Sequence, residues 1–376
     1  MKTKLLVAAL LAATLVACGG GGGGGGGDLP IWTDPGPGPN PGPAPNPEPQ
    51  PNPNPTPTPT PISANYKYLT FDQDRDPDVD SATKRYDDYI ALLNREGAAG
   101  YRYIEGSAGG TIVSLRDQFL MVKDTDTTYS YEYKTIVVNI QQADVMPRLL
   151  QQMKDQAAQG KVFIQFLGHL DNTPPPDSNI IFAMLYRKDE GAPTTYEVEA
   201  ADYPATVADL LATANSMGAN GFRPWNVETV GLSHERKQFF IKDRSSPAQY
   251  EMKAVISPLS VVGGDFPDVR KQIQDQGALG YRLLKSRSLI DGNGEEKGFF
   301  LYLKDTTQAS TYEFEFLDNP DTLFGLQEAN AAQANAQTAN GLRYFGEPDA
   351  PIFFRSLNCT GVLCLSPTKA ERSENL

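Results

Sequence analysis

Cysteine, histidine and tryptophan are scarce in this chain of 376 residues, which has three Cys, two His and two Trp. The histidines are His169 and His234, and neither has a Cys or a pair of carboxylates nearby at ligand spacing. A His-based metal centre therefore has nothing to build on, and no nucleophile motif supports a Ser/His/Asp site. No metal and no cofactor are expected. Between Cys18 and Cys359 the chain has no thiol, which excludes a cysteine nucleophile from that stretch. Positive charge is also short, with 33 Lys and Arg against 46 Asp and Glu, a formal net charge of −13. No basic patch with interleaved aromatics is present. An acidic surface repels phosphate backbones, so no nucleic-acid partner is expected. Glycine is plentiful (34), but its long run lacks the strand-to-helix setting of a phosphate loop.

The first apolar run, Leu5 to Val16, follows Lys2 and Lys4 and is broken only by Thr14. It is too short to span a bilayer comfortably and reads as an export signal over residues 1–18. Removing its two lysines takes the formal charge from −13 to −15. The run closes on Leu15-Val16-Ala17-Cys18-Gly19. These residues resemble the lipobox of bacterial lipoproteins, in which the Cys is lipidated and becomes the mature N-terminus. The resemblance implies lipidation of Cys18 and membrane attachment through that lipid. In that family Gly19, in place of Asp, implies an outer-membrane address.

Residues 19–62 are a linker. Gly19 to Gly27 is uninterrupted glycine, and from Pro35 to Pro61 every second residue is proline. Proline fixes its own φ and pushes the residue before it toward extended backbone. At ~3.1 Å per residue such a stretch reaches roughly 80 Å, a semi-rigid stalk on a flexible tether. The alternative is a proline-rich ligand for a partner domain, although the stretch lacks the anchoring residues of one.

The rest of the chain repeats. Strand-opening pairs stand at Tyr66/Tyr68, Tyr131/Tyr133, Tyr196/Val198, Tyr250/Met252 and Tyr312/Phe314. Helix exits end at Gly100, Gly160, Gly221, Gly280 and Gly341, spaced 60, 61, 59 and 61 residues apart. Apolar third strands close on Lys123-Asp124, Lys188-Asp189, Lys242-Asp243 and Lys304-Asp305, and the fifth on Arg355-Ser356. A period this tight predicts five copies of one β-α-β-β unit. The expected modules are 63–126, 127–191, 192–246, 247–308 and 309–376. The fourth predicts an N-cap at Asp265, a core stripe of Phe266, Val269 and Ile273, and a left-handed C-cap at Gly277. Runs such as Phe299-Phe300-Leu301-Tyr302-Leu303 do not alternate, so the third strand should be central, with both faces covered.

The fold class is therefore α+β, with five tandem modules expected in an open or curved array; modules this small need stacked neighbours. The alternative is a closed five-module α/β propeller. Five such modules resemble the pentein fold in count and strand order. Pentein enzymes use a Cys, a His and carboxylates in a central site, and the missing thiol leaves that chemistry without its nucleophile. The unit is also similar to a small bacterial β-α-β-β domain of unknown function, which implies a fold and no activity.

Two repeated charge sets are candidate binding residues. Glu132, Glu197, Glu251 and Glu313 lie within the first strands, and Arg102, Arg223, Arg282 and Arg343 follow the helix exits. Both alternate with core positions, so both are expected on one side of the sheet, as cross-strand Glu–Arg pairs. The sharper reading is a binding row for a repetitive polymer such as a glycan. Cys359 and Cys364 should pair in an oxidising compartment, pinning a C-terminal hairpin over the exposed end of the fifth module. The copies differ most in their second hairpin loops, Leu170 to Ser178, Val227 to Lys237 and Ile290 to Gly298, which are the expected contact surfaces. The sequence thus points to a lipid-anchored envelope protein that binds or scaffolds another envelope protein or a glycan. An envelope enzyme with a site between modules is the alternative.

Overall fold

The computed structural model describes residues 62–72, 81–111, 114–139, 145–169, 179–191, 194–225, 236–258, 267–318, 326–346 and 351–372. The signal, the glycine run, the whole proline stretch, Asp265, Phe266, His234, the loop 170–178 and residues 227–235 of the loop expected at 227–237 lie outside the described residues. The first unit holds β1 (Asn65–Asp72), α1 (Ser81–Ala98), β2 (Arg102–Thr111) and β3 (Ser114–Lys123). The second holds β4 (Thr128–Asn139), α2 (Val145–Ala158), β5 (Lys161–His169) and β6 (Asn179–Glu190). The third holds β7 (Tyr196–Asp202), α3 (Val207–Gly218), β8 (Arg223–Trp225) and β9 (Lys237–Asp243). The fourth holds β10 (Tyr250–Ile256), α4 (Pro267–Ala278), β11 (Arg282–Ile290) and β12 (Glu296–Asp305). The fifth holds β13 (Thr311–Phe316), α5 (Leu326–Thr338), β14 (Arg343–Gly346) and β15 (Ile352–Leu357), followed by α6 (Lys369–Arg372).

Among the described residues the fold is α+β, with five separate three-stranded antiparallel sheets. Each sheet takes its strands from one stretch of chain, in the order first, third, second. The third strand is central in all five, including the second unit, which lacks the Gly-aromatic-Arg exit. Its lack of alternation has the expected cause. Phe119 to Val122, Phe182 to Tyr186, Phe239 to Ile241 and Phe299 to Leu303 are all buried. A strand with partners on both edges and side chains covered on both faces must be apolar throughout. No helix among the described residues is long and apolar enough to cross a membrane.

Each helix rests on the first strand of the next unit. Asn94 of α1 accepts from the Tyr131 N–H at 2.6 Å and donates to the Tyr131 C=O at 2.9 Å. Asn215 does the same to Met252, and Gln274 to Phe314. The carboxamide imitates a peptide group and satisfies a strand edge that would otherwise be open. Gly277 sits inside α4 and is not the left-handed C-cap expected from the sequence; Gly280, φ 88°, takes that conformation. Gly277 is needed for a different reason. A Cβ there would stand 2.2 Å from the Tyr312 carbonyl oxygen, and one at Gly97 or Gly218 would meet Tyr129 or Tyr250 in the same way.

An open array would leave α5 and β1 at opposite ends. Instead α5 lies against β1. Asn335 accepts from the Tyr66 N–H at 2.7 Å and donates to its C=O at 2.8 Å, and the Ile62 N–H donates to the Thr338 C=O. Tyr66, Ile104, Leu120, Val122, Ala331, Ala334, Leu342, Tyr344 and Phe353 form one buried cluster drawn from the first and fifth units. Through these contacts neither the first strand nor the last helix is left uncovered.

Candidate functional site

Four of the five second strands, β2, β5, β11 and β14, carry a bulge soon after the helix exit. In β2 the register skips Ile104, in β5 Ile164 and in β11 Leu284, and all three are buried. The bulge in β2 leaves the Tyr103 N–H without a ladder partner, and the Tyr131 hydroxyl of the next unit accepts it at 2.8 Å. Tyr66 does the same for the Tyr344 N–H, from the first unit to the fifth. The second strands are linked further by Tyr103 Oη to Gln165, Tyr344 Oη to Glu105, and Trp225 Nε1 to the Phe163 carbonyl.

Onto these strands folds the C-terminal segment. After β15 the chain turns at Asn358, φ 52°, and Cys359 bonds Cys364 with their Cα atoms 5.7 Å apart. The disulfide encloses Gly361, φ 80°, and a 3-10 turn over Val362–Cys364, so the expected hairpin is not what it closes. Nor does it seal a free end, because the segment runs over the inner strands: α6 touches β2, β5, β8 and β11. The start of α6 is a capping box. Thr368 and Glu371 stand three apart, and Glu371 Oε2 accepts from the Thr368 N–H at 2.7 Å.

The repeated arginines meet this segment. Arg102 forks onto Asp124 at 2.9 and 2.6 Å and also donates to the Ser366 carbonyl at 2.7 Å. Ser366 bonds the Tyr66 hydroxyl through its side chain and Asp124 through its N–H. Arg223 donates to Glu371 Oε1 at 2.8 Å while its guanidinium lies 4.8 Å above the Trp225 ring. Arg282, only 1% exposed, points Nη1 at the carbonyls of Val362, Leu363 and Leu365 at 3.4, 3.2 and 3.1 Å. Arg372 of the segment returns the favour by pairing with Glu105. Arg343 is half-buried, and its Nε finds no hydrogen-bond partner among the described residues.

The expected Glu–Arg pairs do not form, and the register says why. Glu251 faces Lys304 while Arg282 faces Leu303, and Glu197 faces Lys242 while Arg223 faces Ile241. Adjacent residues of the central strand point to opposite faces, so the two sets lie on opposite faces. The glutamates pair outward. Glu132 meets Lys161, Glu197 meets Arg244, Glu313 meets Arg355, and Glu251 accepts from the Tyr281 hydroxyl. The closing basic residues of the third strands cap helix exits: Lys123, Lys304 and Arg355 donate to the carbonyls of Ala99, Leu279 and Asn340.

Sequence reasoning missed one arginine of the inner set. The second unit has Val162 where the others have the exit arginine. Val162 pairs with Arg187 on the central strand, whereas Arg102 pairs with Val122. The cation and the apolar side chain have exchanged strands. Arg187 is buried, bonds Asp189 at 2.7 Å and lies over the Tyr129 ring. The signal was present, since Arg187-Lys188-Asp189 stands where the other copies read apolar-Lys-Asp. Asp124, Ser366, Glu105 and Glu371 were also missed, although Thr368 to Glu371 is a readable capping pattern.

Electrostatics follow from burial. Burial works against the charge of Glu371, but Arg223 and Arg282 outweigh it and hold the carboxyl below the usual range. Burial likewise opposes the Arg102 charge, and Asp124 more than restores it. Arg282 has no such carboxylate at hydrogen-bond distance among the described residues, and burial lowers its pKa. The Tyr66 hydroxyl is pushed up to about 12, chiefly by burial. The arrangement can grip carboxylates and backbone carbonyls. Among the described residues no group of three or more His, Cys, Asp or Glu could hold a metal ion. No family model, no curated protein and no solved structure matches this chain.

Proposed function

We propose that the chain is a lipid-anchored protein of the bacterial cell envelope which carries a closed ring of five tandem β-α-β-β modules on a proline-rich stalk. Its role is binding or scaffolding, with another envelope protein or a glycan as partner. Closure is supported by the Asn335–Tyr66 clamp, which repeats between the fifth and first modules what Asn94 does between the first and second. The anchor rests on Leu15-Val16-Ala17-Cys18, and Gly19 favours the outer membrane.

Binding is favoured over catalysis by one observation. The place where second strands of the modules converge is filled by the chain's own C-terminal segment, and Arg102, Arg223 and Arg282 are engaged with it. The sites left for an outside partner are on the periphery. There the β11–β12 hairpin, with Asp291 to Gly294 at its turn and Ile290 exposed, offers a contact whose turn sequence the other modules do not repeat. The glutamates Glu132, Glu197, Glu251 and Glu313 remain a candidate outer row.

Fractionation of cells carrying Cys18→Ala tests the anchor. Release from the membrane fraction or loss of processing is expected; wild-type processing with full membrane retention overturns it. Capture from envelope extract with the stalkless protein tests the periphery. A specific partner should be lost when residues 291–294 are replaced by a plain two-residue turn. Unchanged capture by that variant removes the hairpin from the proposal.

A further inference from the structure

The C-terminal segment is held in the way a ligand is held. Arg102 with Asp124 and Tyr66 of the first unit grips Ser366. Glu105 of the same unit takes Arg372, and Arg223 of the third takes Glu371. Arg282 of the fourth reads three backbone carbonyls, and Gln308, beyond β12, clamps the backbone of Thr360 at both its N–H and its C=O. These contacts are polar and directional, and they come from separate arms of the molecule. The apolar anchoring comes from both ends of the segment: Leu363, with Cys359 and Val362 beside it, joins one core cluster, and Ala370 joins another.

The segment is also self-contained. Its disulfide lies between Cys359 and Cys364, both inside it, and so ties it to no sheet. It joins the sheets through a single joint at Asn358, which is exposed and in the left-handed conformation. It does not fill all that surrounds it. Arg282 Nε is buried and finds no acceptor among the described residues, although Nη1 of the same guanidinium donates to the segment. A buried guanidinium with a free donor is a site for one more acceptor oxygen.

We propose that the convergence of the second strands is a peptide-binding site kept shut by the chain's own C-terminal segment, residues 359–372. The ligand class is a short peptide that offers a run of backbone carbonyls to Arg282 and a carboxylate side chain to Arg223. The segment is a tethered version of that ligand and competes with it. The inference uses only contacts within residues 62–372 and does not depend on the membrane anchor or on the peripheral hairpin.

The test uses the full chain with a protease site inserted after Asn358. The protein is folded, cut and diluted, with its disulfide kept oxidised. The freed fragment should leave on dilution, the circular dichroism of the sheets should persist, and a synthetic peptide of residues 359–372 should rebind. Truncating one partner of a buried charge pair acts mainly on dissociation, so the Glu371→Gln peptide should rebind about 30-fold more weakly or worse. The uncut chain should not take up the peptide. Equal binding of the two peptides overturns the proposal, and so does loss of the sheets when the fragment departs, since the segment is then a strut. Should the insertion prevent folding, hydrogen exchange of uncut Arg223→Ala decides. Faster exchange confined to residues 359–372 supports a displaceable ligand, and an equal rise across β12 and β15 overturns it.

Discussion

In the first unit Arg102 on β2 faces Val122 on β3; in the second, Val162 on β5 faces Arg187 on β6. The helices differ in the same way. Where α1 has Asn94 and Gly97, α2 has Lys154 and Ala157. Lys154 reaches Glu199 at 2.9 Å and does not clamp the β7 backbone. Both units have the same strand order, and both helices rest on the next first strand. What the repeat preserves is therefore a volume and a charge at a point in space. Which strand supplies them is free, because directly paired residues on neighbouring strands project from the same face.

The comparison can be broken most sharply at the arginines. Arg102→Leu leaves Asp124, a fully buried carboxylate, without its partner, and should cost about 3–5 kcal/mol in denaturant unfolding. Arg187→Val should cost less, about 2 kcal/mol, because a quarter of the Asp189 side chain remains in water. Adding Val162→Arg should recover part of that loss by rebuilding the arrangement of the first unit. Strict additivity of the two changes would show that the exchange is not a compensating pair.

The glycines come next. Gly218→Ala should lose about 1–3 kcal/mol despite the better helix propensity of alanine, because its Cβ would stand 2.0 Å from the Tyr250 carbonyl oxygen. Ala157→Gly in the second unit should cost about 1–2 kcal/mol, the ordinary helix penalty plus the loss of one buried methyl. A melting series on the two variants separates them, and a neutral Gly218→Ala would remove the close approach as the reason for that glycine.

The clamps should rank below that. Asn335→Ala strips the Tyr66 backbone of both side-chain bonds and should cost about 1–2 kcal/mol. Lys154→Ala, which breaks a half-exposed ion pair, should stay under about 1 kcal/mol. Equal effects would dissolve the distinction between the two kinds of joint.

Glu371 gives the smallest and most selective signal, a pH dependence. Arg223, Arg282 and Arg102 act on it against the cost of burial, and its pKa is held below the unfolded value of about 4.3. A carboxyl lowered in the folded state stabilises fully above its unfolded pKa. That contribution is lost as pH falls through the folded value, so it disappears below about pH 4.3. Glu371→Gln should flatten that part of an acid denaturation profile. An unchanged profile would mean that other carboxylates carry all of it.

Much of one unit could be read from residues close in sequence. Phe299 to Leu303 runs without alternation, which marks a strand with no wet face, and β12 is central. Cys359 and Cys364 were legible as a pair, and they are bonded. The site was legible in fragments. The exit arginines stood out because they repeat, but their partners did not. Arg282 binds the carbonyls of Val362, Leu363 and Leu365, about 80 residues on, and no local pattern joins them. The expected Glu–Arg pairing failed on a parity of one residue, since Glu251 and Arg282 face neighbouring positions of β12.

The sequence by itself determined the unit: its period, its strand and helix types, and the central place of the third strand. These follow from spacing and side-chain chemistry within about 60 residues, where apolar faces must be covered and backbone groups paired. Only the tertiary structure decided how the units meet. Asn335 lies 269 residues from Tyr66, and Ser366 lies 300 residues from the same tyrosine. A helix with the right face and a strand with an open edge fit any neighbour of the same kind, so the local pattern is equally satisfied by a row that ends and by one that returns to its start. Tyr66 and Tyr344 are buried against each other and the C-terminal segment is laid across the second strands, contacts between residues too far apart for a local pattern to select.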